Sequence, residues 1–183
     1  MLVPMEKRHA DEVGKLHYLH VGSFLKDLGE NMCICFYKNV LESDSNFGFV
    51  YTEGDRVQGF IFGTLDNSKL FMHLRVRLTL LLALLKKPWL MRRVLCRYRK
   101  EFPPFPERCY MATAKQIRGK GIGRLLNLKL HEEFKNRGVS TYQMRIDADN
   151  KASLGVTQKV LGGIIMDEFE DNGKRRYRLE VTT

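Results

Sequence analysis

The chain has no apolar run long enough to cross a bilayer. Its longest, Leu80–Leu85, falls far short of the roughly 20 residues a helical span needs. Cysteine is scarce too. Cys33, Cys35, Cys96 and Cys109 are scattered, and no Cys or His group has the spacing of a metal site, so no metal is expected. That pattern excludes a disulfide scaffold and suits free thiols in a reducing compartment. The opening MLVPMEKRHADEV turns charged before an apolar core can form, so no secretory signal is expected and the cytoplasm is the expected location. Acid is missing from one long stretch. Residues 70–100 carry nine Arg and Lys and no Asp or Glu, against a net charge of +10 for all 183 residues. The basicity therefore belongs to one segment.

What is present reads as a single α+β domain over residues 1–183, with a basic helical insertion at 66–105. MLVPM suits an edge strand, and Ala10–His20 and Asn31–Leu41 carry helix-period apolar positions around a glycine-containing break. Phe47–Thr52 and Val57–Leu65 flank EGDR as a hairpin. The prolines of EFPPFP forbid helix and mark a stiff connector into a strand at 108–114. A glycine-rich turn then leads into an amphipathic helix over Ile122–Arg137, stopped by Gly138. Ser140–Asp147 alternates like a strand, Asn150–Leu161 suits a helix, and two strands flank Asn172-Gly173, a strong hairpin pair. The strands are mostly antiparallel in this reading.

The turn, AKQIRGKGIGRLL, concentrates the chemistry. Glycines at 119, 121 and 123 stand among Arg118, Lys120 and Arg124. A strand, then glycines, then a helix aims backbone N–H groups at a helix N-terminus, where the dipole favours an anion. A P-loop needs Lys-Ser/Thr after the last glycine, and Arg124 stands there. The dinucleotide fingerprint needs Gly or Ala at 124 or 126, and those are Arg124 and Leu126. The Q/R-x-x-G-x-G/A pattern fits in two registers, Gln116–Gly121 and Arg118–Gly123. The second takes Gly123 straight into the helix.

That loop resembles the pyrophosphate loop of the GNAT (GCN5-related) N-acetyltransferases. NKASLGVTQKVLGG at 150–163 and VQGFIFG at 57–63 resemble two further segments of the family, and the order of elements agrees outside 66–105. The resemblance implies the GNAT acyl-CoA N-acyltransferase fold, with two splayed strands in a mixed, mostly antiparallel sheet and helices on both faces. It implies acetyl-CoA (CoA) as co-substrate and transfer of acetyl to a primary amine of a small-molecule acceptor by direct attack. A protein or peptide amine, or a catalytically silent acetyl-CoA-binding module, are the alternatives.

Carried over residue by residue, the cofactor arm would bond to the strand backbone near Met111, Ala112 and Thr113. Its pyrophosphate would lie on Arg118, Gly119, Lys120, Gly121, Ile122, Gly123 and Arg124, with Asn150 and Ser153 as further contacts. Glu107 falls where one branch of the family places its general base. The family's acid is a tyrosine in the helix at 150–161, but the nearest residues here are Val156 and Thr157. Tyr142, Cys109 or a water could substitute. His17, His20, Ser23 and Phe24 fall in the region that walls the acceptor. For the basic insertion, a helical flap, a peripheral membrane contact and a dimer contact through residues 70–100 all remain open. Nucleic acid fits poorly, because leucines stand where phosphate-positioning groups would be needed.

Overall fold

The computed structural model describes residues 1–91, 104–171 and 173–183. In chain order these form β1 (Leu2–Pro4), α1 (Ala10–His20), α2 (Phe24–Leu28), α3 (Glu30–Val40), β2 (Asn46–Glu53) and β3 (Arg56–Thr64). Then come α4 (Leu74–Lys86), β4 (Glu107–Thr113), α5 (Ile122–Asn136), β5 (Thr141–Asp147), α6 (Lys151–Val160), β6 (Ile164–Asp171) and β7 (Lys174–Thr182). The strands make one sheet in the order β1-β2-β3-β4-β5-β7-β6. All pairings are antiparallel except β4 with β5.

Alternation along the strands builds two cores. Successive side chains in a strand face opposite ways. In β3, Phe60 and Phe62 pack under α1, α3 and α4, while Ile61 joins α5 and α6 on the other face. Tyr142, Met144 and Ile146 of β5 also face α5 and α6, as do Leu179 and Val181 of β7. A short helix, α2, occupies the break where the sequence shows only a glycine-containing bend. Ser23 caps it by accepting from Lys26 N–H at 3.2 Å. Of the insertion, the first helix is α4, ended before Pro88 as proline requires. The second helix expected from the sequence, over Met91–Lys100, lies almost wholly outside the described residues.

One irregularity opens the middle of the sheet. Phe62 pairs with Tyr110 but Gly63 pairs with Arg108, so Cys109 is left over as a bulge in β4. On its other edge β4 meets β5 only at Glu107↔Gln143 and Arg108↔Met144. Beyond the bulge the two strands part, and the β4 backbone from Cys109 to Thr113 has no β5 partner.

Candidate active site

The glycine loop stands at the open end of this gap. β4 ends at Thr113, and a turn of 3-10 helix anchored by buried Ile117 carries the chain to Arg118. Gly119 and Gly121 take left-handed conformations, φ +80° and +79°, which L side chains adopt only with strain. A Cβ at either would meet nothing within 4 Å, so the space above the loop is open. Gly121 is the N-cap of α5, so the N–H groups of Ile122, Gly123 and Arg124 have no carbonyl within the helix. Open space, free amides and three cations fit a pyrophosphate. The parted β4 edge fits an extended amide-bearing arm added as a strand would be. These residues suit coenzyme A. Among the described residues, no group of His, Cys, Asp and Glu is placed to hold a metal ion.

His20 sits at the end of α1 beside the loop. Burial lowers its pKa, and the nearby Arg118, Lys115 and Lys26 lower it further. The Arg118 side chain turns back, its Nε donating to Thr113 O at 3.3 Å. Asn150 caps α6, its Oδ1 accepting from Ser153 N–H at 3.1 Å, and the Ser153 side chain is buried beneath the helix. The end of α6 widens. Leu161 N–H bonds to Val156 O and Gly163 N–H to Thr157 O, which closes the helix at the Gly162 turn. Thr157 itself is buried, donating to Met144 Sδ at 3.4 Å.

Several expected catalytic and acceptor residues have other partners. Glu107 is 4% exposed. It accepts from Arg145 Nη2 at 2.6 Å and Nε at 3.0 Å, and from Asn67 Nδ2 at 3.3 Å. This favours an anchoring role over a proton acceptor. Tyr142 lies on the α5 face, stacked on Phe134 with ring centroids 4.2 Å apart, its hydroxyl 3.3 Å from His131 Nδ1. Burial raises its pKa, and its ring points away from the acceptor side. His17 is not a surface wall. It is fully buried, with Nδ1 2.8 Å from the Tyr37 hydroxyl and Nε2 2.6 Å from Ser23 Oγ. Burial, aided by Lys26, lowers its pKa to about 3, so the ring is neutral. Phe24 is half-buried against the same core.

Three features escape a reading of the sequence. Tyr110 follows the bulge, half-buried, its ring 4.6 Å from His17 on the face covered by α1 and α3. Arg108 is buried on the opposite face, its Nη1 donating to Asn127 Oδ1 at 2.8 Å. Burial lowers its pKa to about 10, so it stays cationic at neutral pH. Asn127 also donates to Gly123 O at 2.7 Å and Met111 Sδ at 3.1 Å, tying β4 to the first turn of α5 behind the glycine loop. The one signal for it in the sequence is a polar residue between Leu126 and Leu130 on the apolar side of that helix. Third, Arg176 of β7 donates to Gly22 O at the α1–α2 bend at 2.9 Å, and to Asp147 and Asp171 at 2.7 Å each. The β6–β7 hairpin is thereby latched to the α1–α2 bend.

A bulged β4, a β5 that diverges from it and a glycine-led helix at the opening define a coenzyme A-dependent acyltransferase. Comparison with known proteins agrees. Residues 15–162 match the acetyltransferase (GNAT) family. No curated protein sequence matches the chain. Among solved structures, the fold is similar to the ribosomal-protein-S18-alanine N-acetyltransferase of Escherichia coli, at 12% identity and TM-score 0.64, over 100% of this chain and 92% of that one. It is also similar to an N-acetyltransferase from Staphylococcus aureus Mu50, at 17% and 0.65, over 100% and 97%. The Salmonella typhimurium protein yncA, solved with its cofactor acetyl-CoA, gives 15% and 0.67, over 100% and 92%. The chain belongs to the GNAT family, and is an N-acetyltransferase that uses acetyl-CoA.

Proposed function

We propose that this enzyme acetylates the primary amine of a small molecule. The observation that carries this is the Arg176 latch. It ties the β6–β7 hairpin to the α1–α2 bend, which supports a compact acceptor entering end-on over a chain running through between the two.

Acetyl-CoA, when bound, supplies the thioester carbon that the amine attacks. The chain's part is to orient and to move protons. The β4 N–H groups near Met111–Thr113, freed by the parting of β5, are available to stabilise an oxyanion. The N–H groups of Gly121 to Arg124 at the start of α5, with Lys120 and Arg124 beside them, would hold the pyrophosphate and so fix the donor at the gap. For the acid, Tyr110 stands in for the tyrosine missing from α6. It adjoins the bulge on the acceptor face, whereas Thr157 and Tyr142 are buried elsewhere. Glu107 orients Arg145 at the closed end of the gap, and the amine loses its proton to water.

The test is free-thiol release from acetyl-CoA across a panel of small amines, with peptide N-termini as the contrast set. Turnover on a small amine supports the proposal. Turnover on peptides alone overturns it, and cofactor binding without any turnover marks a silent binding module. A companion variant checks Glu107: Glu107→Gln should lower stability yet leave the shape of the pH–rate profile unchanged. A lost acidic limb would make Glu107 the base.

A further inference from the structure

The helix α4 is apolar on two sides, and only one of them is covered. Its inner side packs on α3 and the core through buried Val76 and Leu84, and Cys35 Sγ meets Thr79 Oγ1 at 3.2 Å. After it, buried Leu90 and a bond from Lys87 Nζ to Asp27 O at 2.7 Å hold the next turn down. The helix is thus fixed in its roll. With the inner side taken, Leu74, Leu78, Leu81, Leu82 and Leu85 point outward, 52–69% exposed, and Trp89 continues the row at 68%. At 3.6 residues per turn those leucines fall within about 100° of arc. Arg75 and Lys86 border the stripe on one flank and Arg77 on the other.

A soluble surface rarely exposes so many large apolar side chains side by side. The charges around the stripe say what it faces. From residue 70 to Met91 the cations Arg75, Arg77, Lys86 and Lys87 stand with no Asp or Glu among them. A partner that is apolar within and anionic at its rim matches this surface. A second copy would set one basic border against another, at an electrostatic cost. Among the described residues no helix is long and apolar enough to cross a membrane, so a bilayer contact through α4 would run along the surface.

We propose that the outer face of α4, continued by Trp89, docks the protein on an anionic lipid bilayer. The leucines enter the acyl boundary while Arg75, Arg77 and Lys86 extend along the helix to the headgroups. Trp89 sits at the interface, where its amphipathic ring is favoured. α4 packs on α2 and α3, so docking sets the acceptor side close to the bilayer.

Trp89 is the only tryptophan in the chain, so its fluorescence reports the event directly. On vesicles of equal parts phosphatidylglycerol and phosphatidylcholine the protein should float and its emission should shift to the blue. On phosphatidylcholine alone it should bind weakly, because each basic residue near an anionic surface contributes about a fivefold gain in partitioning. Leu78→Glu with Leu82→Glu should abolish both signals while coenzyme A affinity and the far-ultraviolet spectrum stay unchanged. Arg75→Gln with Arg77→Gln should lower partitioning by about fivefold per charge. The proposal is overturned if the mixed vesicles produce no flotation and no blue shift, or if phosphatidylcholine alone binds as tightly. It is equally overturned if the wild type sediments as a dimer that the leucine variants dissociate and neither binds lipid.

Discussion

The donor side and the acceptor side of the gap are built differently. On the donor side the candidate binding surface is backbone: left-handed glycines, first-turn amides and a strand edge from which β5 has parted. On the acceptor side the architecture is held by side chains. Arg145 pairs with Glu107, Arg176 with Asp147, Asp171 and Gly22 O, and His17 with Tyr37 and Ser23. A backbone site needs glycines at set intervals and a helix start, so it marks the sequence. A side-chain site needs only that some distant residue arrive with the right group, so one sequence by itself hardly shows it.

The comparison is sharpest at the point where the donor side does depend on side chains. Asn127 is the partner the structure gives to the buried Arg108 guanidinium. Removing one partner of a buried charge is costly, so Asn127→Leu should lower unfolding free energy by about 3–5 kcal/mol in chemical denaturation. Arg108→Met in the same chain should recover most of that loss, since two apolar groups can replace a buried polar pair. A single variant as stable as wild type would remove the pair from the account.

On the acceptor side the corresponding large effect is on turnover. Tyr110→Phe should lower kcat about 100-fold, in the range of a lost general acid, with coenzyme A affinity unchanged by titration calorimetry. An equal fall in kcat and cofactor affinity would mean the hydroxyl serves packing instead.

The acceptor side should also set the response to acid. His17 is neutral in the fold, with a pKa of about 3 against an ordinary value of 6.5. The unfolded chain binds its proton first, so folding stability falls as pH drops from 6.5 toward 3. Between pH 7 and pH 5 the loss should be about 2 kcal/mol by denaturant titration. His17→Gln should flatten that slope. A wild-type slope that the variant reproduces would contradict the neutral, buried ring.

The same contrast explains what could be read from the residues alone. The hairpin at EGDR, the helix starting after Gly121 and the strand at 108–114 follow from local chemistry that the sequence carries openly, whereas the parting of that strand from its neighbour was implied only by the family resemblance. The loop also excluded two other phosphate-binding patterns, at Arg124 and Leu126. His17 illustrates the opposite case. A histidine at a helix end resembles an exposed ligand, yet the tertiary fold brings Tyr37 and Ser23 onto its two nitrogens. Tyr142 alternates toward a face that only the packing of α5 and α6 defines. Arg176 and Gly22 lie 154 positions apart, and no local pattern links them. The tyrosine absent from α6 was visible as an absence, whereas Tyr110 at a bulge was not, because bulges depend on pairing register.

The smallest predicted effect bears most directly on the central claim, that the glycine loop binds coenzyme A through its backbone. Gly121→Val would force a β-branched residue into a left-handed N-cap, at a local cost of about 1–2 kcal/mol. Titration calorimetry of coenzyme A against wild type and Gly121→Val decides the matter. The account predicts that the wild type binds and that the variant, still folded, binds about tenfold more weakly. Equal affinity in the two proteins, or no binding by the wild type, would contradict it.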